Sequence, residues 1–437
     1  MFLPEEFKER IRTQLNDDAE GFFKSYDLPA YKGLRINPLK KDVNLTSLNP
    51  SMLPFHLSPI SWAENGYYYE ASDEPGKHPY HEAGMYYIQE PSAMAPVPLL
   101  EIKEGDVILD LCASPGGKST QIASYMNGKG ILVSNEINPQ RAKNLSENIE
   151  RMGIKNAIVT NESSGKLAER FYEFFDKILV DAPCSGEGMF RKNPEAIDEW
   201  SADNVKLCAQ RQDEILDNAY SMLKTGGRLV YSTCTFAPLE DEECMERFIS
   251  RHSDMILLKS HRIWPHIDKG EGHFLSVLTK GPQKDTQDAS SLGNNRLVSD
   301  KDLGDYYSFL NDTFKNPDEY KGQITAFGDQ LYLLPKNCPA LSGLKVLRPG
   351  LHLGTIKKNR FEPSHALALS GNLSICKNVL NLDSTSREVA LFLSGQSFNH
   401  DGNKGWYIIT VDGFSIGWGK CAGGIMKNHY PKGLRKN

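Results

Sequence analysis

No C-x-x-C pair occurs in the 437 residues, and the eight cysteines (Cys112, Cys184, Cys208, Cys234, Cys244, Cys338, Cys376 and Cys421) stand singly. That spacing gives no zinc ribbon and no redox dithiol, and no metal site is expected. An excess of positive charge is missing too. At a net charge of −6 the chain is no general polycation replacing counterions along nucleic acid, so any nucleic-acid surface must be local. No apolar run approaches the ~20 residues that span a bilayer. MFLPEEFKER carries acidic residues where a secretory signal has its apolar core. The expected compartment is the cytoplasm, with the cysteines as reduced thiols. Internal repeats are lacking as well.

What is present describes an ordinary globular protein, with 39% apolar and 24% charged residues. The length exceeds what one hydrophobic core sustains, which implies several domains. Residues 2 to 15 read as a helix with Phe7, Ile11 and Leu15 on one stripe, followed by an irregular stretch through GLRINPLKK and NGYYYE. From about residue 105 the pattern alternates. DVILDL, GILVSNE, NAIVT, DKILVDA and GGRLVYS read as strands, while GGKSTQIASYM and NVKLCAQRQDEILDNAYSML read as helices. A further helix has Asn138 as N-cap, Pro139 in its first turn, Ala142, Leu145, Ile149 and Met152 on one face, and Gly153 as its stop. This alternation predicts an α/β fold with a parallel sheet covered by helices on both faces. GHFLSVLTK is the expected last strand of that unit, and the polar stretch 281–295 reads as a linker. Beyond it QLYLLP, VALFL and GWYIITV suggest a small mixed or mostly β module.

LDLCASPGGKST, residues 109 to 120, leaves a strand and enters a helix, so its glycines and backbone amides offer a ligand close approach. It is a binding loop. A phosphate cradle of the G-x-x-x-x-G-K-[ST] kind fails in detail. Cys112 stands at the first glycine, and Pro115 removes a backbone donor. A nucleoside-bearing cofactor fits better, because Glu136 ends the next strand 26 residues beyond Asp110, where an acidic side chain grips ribose hydroxyls.

DAPCSGEGMF, residues 181 to 190, puts Cys184 just past the apolar run KILV, and LVYSTCTFAPLEDEE puts Cys234 at the end of another apolar strand. A single cysteine is usually a small buried hydrophobe. Two of them at strand C-terminal ends, the ligand-binding edge of an open α/β sheet, point to chemistry. Spacing leaves open which thiol attacks.

DLCASPGGKST, SNEINPQRA, VDAPCSGEGMFRK and YSTCTF, in that order, resemble the motifs of the S-adenosylmethionine-dependent RNA cytosine carbon-5 methyltransferases, the NSUN/RsmB/RsmF family. The similarity is greatest to the bacterial RsmF branch. GLRINPLK, YYIQEPSAMAP, RIWPHIDKGEGHF and GWGKCAGGIMKNHYPKGLR extend it over nearly the whole chain, with residues 286 to 370 the least specific part. The resemblance implies a Rossmann-like methyltransferase core at 79–284 and a small N-terminal RNA-binding or accessory domain at 1–78. It further implies an RsmF-type C-terminal domain at 296–372 and a PUA-like RNA-binding domain at 373–437. The implied activity is methylation of carbon 5 of a cytosine in ribosomal RNA, 16S in preference. A transfer-RNA substrate and a non-catalytic assembly factor are the alternatives. The implied cofactor is S-adenosyl-L-methionine, and the implied partner is RNA, free or in a partly assembled subunit, for a monomer acting without a metal or membrane.

Carbon 5 of cytosine is a poor nucleophile until a thiolate adds to carbon 6. By resemblance Cys234 attacks, Cys184 assists breakdown of the intermediate, and Asp181 sits beside cofactor and base. By the same resemblance Cys112, Ala113, Ser114, Pro115, Gly116, Gly117 and Lys118 wrap the cofactor, and Glu136 binds its ribose. Where the family has an Asp on the adenine side this chain has Ser163, with Asn161 or Glu162 as the neighbours able to substitute. Lys118, Arg141, Arg191 and Lys192 are candidates for phosphate or the cofactor carboxylate. The segment from Gly417 to Asn437, with five Lys/Arg, no Asp or Glu, and Trp418, His429 and Tyr430 among them, reads as an RNA surface.

Overall fold

The computed structural model describes residues 3–42, 44, 47–281 and 295–436. Most of the stretch read as a linker, residues 282–294, lies outside them. The centre is an eight-stranded sheet whose spatial order is 255–263, 273–280, 223–233, 175–181, 107–110, 131–135, 157–160 and 346–348. The five strands from 223–233 to 157–160 run parallel, as the alternating pattern predicts.

The sheet is not wholly parallel, which corrects the sequence reading. His273–Lys280 and Met255–Ile263 add antiparallel at one edge, and Val346–Arg348 adds antiparallel at the other. Met255–Ile263 escapes a pattern search because its middle residues are exposed on both faces. Neighbouring residues of each central strand go to opposite faces, as pleating requires. Leu109, Val133, Ile158 and Ile178 pack toward Phe171, Leu216 and Phe248. Ile108, Leu132, Val159 and Leu179 pack toward Ile122, Leu145 and Ile149.

Chain order runs outward from Val107–Asp110 through 131–135 and 157–160, then jumps back to Phe175–Asp181 on the other side. The crevice between Val107–Asp110 and Phe175–Asp181 is therefore the switch point where open α/β sheets bind ligands. The helix Pro139–Arg151 begins as read, with Asn138 Oδ1 accepting from the amides of Gln140 and Arg141.

The N-terminal helices Glu5–Leu15 and Ala19–Ser25 bury Phe7, Ile11 and Phe22 against Phe190 and Phe236. GLRINPLKK and NGYYYE, read as irregular, supply two strands of a four-stranded antiparallel sheet together with 58–59 and 86–88. Leu34, Ile36 and Tyr86 of that sheet share a core with Val411, Phe414 and Ile416 of a five-stranded C-terminal sheet. VALFL belongs to a helix, Arg387–Leu393, rather than a strand. Val389, Phe392 and Leu393 fall on its buried stripe, and Ser386 caps it. Among the described residues no helix is long and apolar enough to cross a membrane.

Candidate active site

Three strand ends deliver the site. The loop after Val107–Asp110 turns into the helix Gly117–Met126 through Gly116, whose φ of +112° suits glycine. Asp181 is the last residue of its strand, and the loops beyond 181 and 233 carry Cys184 and Cys234. Cys112, Ala113, Ser114, Pro115, Gly117, Lys118, Asp181 and Cys234 line one cavity of about 280 Å³. Gly116 faces the helix behind the loop, where a Cβ would come 3.1 Å from Leu145.

The two thiols meet. Cys184 Sγ and Cys234 Sγ are 3.4 Å apart, although 50 residues separate them in the chain. Their loops are laced together below the sulfurs. Ser185 Oγ and Thr235 Oγ1, each one residue past a cysteine, are 2.8 Å apart. Glu240, fully buried beyond Cys234, accepts from Ser185 N at 2.9 Å, from Ser185 Oγ and from Gln212 Nε2 at 2.9 Å. In return Glu187, fully buried beyond Cys184, accepts from Phe236 N at 3.0 Å, from Trp200 Nε1 at 2.8 Å and from Arg10 of the N-terminal helix. The amide of Gly188 donates to the carbonyl of Cys234 at 2.8 Å.

Asp181 sits beside this pair. Its Oδ2 accepts from Lys118 Nζ at 2.7 Å and its Oδ1 from Ser232 Oγ at 2.8 Å. Burial works to raise its pKa, but the Lys118 ammonium and His273 outweigh that and hold the carboxyl well below the usual carboxylate range. Burial likewise opposes the charge on Lys118, and Asp181 overrides it to raise the lysine. Behind the loop, burial lifts the Asp110 carboxyl to about 7 while Ser119 donates to it at 2.6 Å.

Glu136 ends its strand as read, but its carboxylate is turned inward and does not line the cavity. Oε1 accepts from Asn138 N at 2.8 Å, and Oε2 lies 3.4 Å from Arg141 Nη2. Asn161 Nδ2 donates to the carbonyls of Glu136 and Ile137, Glu162 accepts from Lys345 N, and Ser163 caps the helix Ser164–Ala168. All three are engaged within the protein.

Of the four basic candidates, Arg191 is the clearest correction. Its guanidinium makes a bidentate pair with Glu271 at 2.8 and 2.9 Å and donates to Ser25 O, so it ties the loop to the N-terminal helices. Lys118 and Arg141 have their carboxylates in Asp181 and Glu136, and Lys192 is exposed at the cavity rim. Sequence reading missed Tyr87, Gln89, Met189 and His273 in the cavity wall. It also missed the buried Arg35, which donates to Gly117 O at 3.0 Å and Thr120 Oγ1 at 2.7 Å from behind the loop. Arg35 and His273 lie within GLRINPLK and RIWPHIDKGEGHF, stretches whose resemblance was visible while their roles were not.

The C-terminal tail needs a second correction. Trp418 and Tyr430 are buried, with Trp418 Nε1 donating to Ser364 O and Tyr430 Oη to Glu82. The accessible ring is Trp406, which lies across the strands from Lys420, itself opposite Lys427. Lys420 Nζ is 4.9 Å from the Trp406 ring centre, and exposed His429 packs against the same ring.

An open α/β sheet with a glycine-bearing loop at its switch point defines a Rossmann-like cofactor-binding core, and comparison with known proteins makes it a methyltransferase. Residues 97–290 match the family model described as 16S rRNA methyltransferase RsmB/F, and 3–91 match the N-terminal domain of 16S rRNA methyltransferase RsmF. Residues 308–370 match the RsmF first C-terminal domain, and 378–436 the methyltransferase RsmF PUA domain. The chain belongs to the RsmB/F family of 16S rRNA methyltransferases. It is 30% identical to the ribosomal RNA small subunit methyltransferase F of Vibrio vulnificus, over 99% of this chain and 98% of that one. It is 31% identical to the protein of that name from Shewanella piezotolerans, over 96% and 94%. A solved methyltransferase homolog protein from Pyrococcus horikoshii superposes with a TM-score of 0.55 at 26% identity, over 63% of this chain and 95% of that one.

Proposed function

We propose that this protein transfers a methyl group from S-adenosylmethionine to carbon 5 of a cytosine in small-subunit ribosomal RNA, in the cytoplasm, through a bond between Cys234 and carbon 6. The observation that carries the reading is the 3.4 Å contact between Cys184 and Cys234 at the ligand edge of the sheet, beside an ion-paired Asp181.

The cavity fits such a cofactor. A Cβ on Gly117 would press within 3.1–3.2 Å of Gln89 and Tyr87, so the bare backbone lets the loop lie close against these two cavity-wall residues. Residues 112–118 would hold the cofactor, with Lys118 and Asp181 at the reacting end, and Glu136 would reach the ribose by releasing Asn138 N and Arg141. Bound there, S-adenosylmethionine supplies an electrophilic methyl group. Everything else falls to the chain. The Cys234 thiolate adds to carbon 6. The sulfur contact with Cys234, and burial after it, raise Cys184 well above an ordinary thiol, so Cys184 holds its proton while its neighbour attacks. Once the Cys234 sulfur is bonded to carbon that influence ends. Burial still opposes the charge, so Cys184 releases its proton to solvent only as its thiolate takes up the carbon-5 proton, and the Cys234 thiolate leaves as the C5=C6 bond re-forms. The base must be unpaired or flipped from its stack to reach the thiols.

Two expected results follow from the assignments. Glu136→Ala removes a charge-assisted hydrogen-bond acceptor and weakens S-adenosylhomocysteine binding by about 1.5–3 kcal/mol in calorimetry; unchanged affinity would take Glu136 out of the site. The charge reversals Lys420→Glu and Lys427→Glu together weaken RNA binding and lower the slope of log affinity against log salt by about 0.7–0.9 for each phosphate no longer neutralised. An unchanged slope would put the RNA elsewhere. The function itself is tested by bisulfite sequencing of ribosomal and transfer RNA from a deletion strain beside its parent. Loss of one 5-methylcytosine from 16S RNA is expected, loss from a transfer RNA would move the substrate, and no loss would sink the reading.

A further inference from the structure

His273 opens the strand His273–Lys280, which pairs with Leu223–Thr233 so that Phe274 lies opposite Thr233. That register sets the histidine beside the strand end that delivers Cys234. The ring is 3% exposed and lines the cavity with Asp181, Lys118 and Cys234. Its Nε2 is enclosed, has no hydrogen-bond partner, and lies 3.6 Å from Asp181 Oδ1, just beyond hydrogen-bond reach. An enclosed polar nitrogen left unpaired costs stability, so its retention at a reaction cavity asks for a use.

The proposed reaction has an unmet need that matches. Thiolate addition to carbon 6 pushes an electron pair across the ring to N3, which must then gain a proton. N3 lies opposite carbon 6, whereas Cys184 touches Cys234 and so serves the carbon-5 and carbon-6 edge. Besides Cys234, the titratable groups lining the cavity are Asp181, Lys118, Glu90, Lys192, Tyr87, Cys112 and His273, and burial raises Tyr87 and Cys112 so that both keep their protons. Asp181 is held ionised and can only accept, and Lys118 is bound to it with its proton more firmly held. Glu90 is committed to the amides of Ser92, Ala93 and Glu271, and Lys192 sits at the exposed rim. Histidine is the side chain that exchanges a proton near neutrality.

Resting on the reading of the substrate as a cytosine, we propose that His273 is a further catalytic residue, the proton donor to N3, with Asp181 backing its Nε2 and Nδ1 facing the base. In the step the Cys234 Sγ–C6 bond forms, the C5=C6 pair moves to C4–C5, and the N3=C4 pair takes the imidazolium proton, leaving a neutral ring. The proton returns from N3 to the His273 imidazole when N3=C4 is restored. Asp181 stabilises the imidazolium as the carboxylate of a catalytic triad does.

The test compares the wild type with His273→Gln, His273→Asn and His273→Gly in single-turnover methylation across pH. In parallel, exchange of the carbon-5 hydrogen into deuterated water is followed without cofactor, since thiol addition alone permits it. The variants are expected to melt near the wild type and to bind S-adenosylhomocysteine as it does. Both rates should fall on the order of 100-fold. The alkaline limb of the wild-type profile should vanish, and added imidazole should restore His273→Gly. The titratable groups that share the cavity with the ring in that titration are Asp181, Lys118, Cys112, Cys234, Tyr87, Glu90 and Lys192. Rates within threefold of wild type would overturn the proposal. So would slow variants that keep the alkaline limb and do not respond to imidazole, because the ring would then only prop Asp181. A wild type that makes no 5-methylcytosine at all would instead sink the functional reading.

Discussion

Cys234→Ala is expected to make no 5-methylcytosine and no protein–RNA adduct, while Cys184→Ala is expected to accumulate an adduct that survives denaturing gels. The difference follows from their places in one reaction. Without the Cys234 sulfur the bond to carbon 6 never forms, so the loss is complete rather than partial. Without Cys184 addition proceeds, but removal of the carbon-5 proton loses its nearest acceptor, 3.4 Å from the attacking sulfur. The double variant should resemble Cys234→Ala, since a release step has nothing to act on when no bond has formed. Gels of the three variants with substrate RNA and cofactor check this. A trapped Cys234→Ala beside an adduct-free Cys184→Ala would exchange the two roles.

The second large effect is expected at Glu240, which never meets the substrate. Glu240→Ala leaves the Ser185 amide, the Ser185 hydroxyl and one Gln212 bond without their acceptor in a buried place. At about 1–3 kcal/mol for the Ser185 amide, and less for the Ser185 hydroxyl and Gln212, which keep Thr235 and Pro183 as partners, the loss comes to about 3–5 kcal/mol. That lowers the melting temperature by roughly 10 °C for a domain of this size. It also unlaces the cysteine loops, so methylation should fall further than folding accounts for. Glu240→Gln keeps the shape and is expected to remain folded and active.

The pH dependence at Glu240 has a definite sign. Burial raises the carboxyl to about 7 from 4.5, against the opposing hydrogen bonds of Ser185. Its contribution to stability is therefore complete below pH 4.5 and is lost as pH rises through 7. Relative to the wild type, Glu240→Gln should accordingly be more stable at pH 8 than at pH 5, which denaturant melts at the two values measure. An equal difference at both would mean that the carboxyl titrates as an exposed one.

Much of this site is local in the chain, and that part could be read from it. A strand running into Pro-Gly-Gly, an Asn-Pro helix start at 138–139, and cysteines just past apolar strands all announce themselves within ten residues, and each lies where it was read. The parallel run of the five central strands followed from the alternation of elements, whereas their spatial order did not. What stayed hidden depends on partners far along the chain. Nothing in the chain around Glu187 and Glu240 marks them, because only the meeting of two loops 50 residues apart buries them. His273 reaches the cavity through antiparallel pairing with 223–233, a register that nothing in GEGHF specifies.

The tail misled for a related reason. Trp418 and Lys420 are two residues apart on one strand, and what covers each decides its role. Ser364 and Phe309 close over Trp418, while Lys420 lies beyond that cover and beside Trp406. Composition identified a basic, aromatic segment, but which rings were free depended on the helices packed above it.

The most direct measurement uses the unaltered enzyme on RNA made with 5-fluorocytidine, whose carbon-5 fluorine cannot be removed as a proton and so holds the intermediate. After digestion with nuclease and protease, mass spectrometry should find one methylated 5-fluorocytidine on the peptide that contains Cys234 and none on the peptide that contains Cys184. A nucleotide on the Cys184 peptide, or no adduct from an enzyme that still methylates unmodified RNA, would contradict the account.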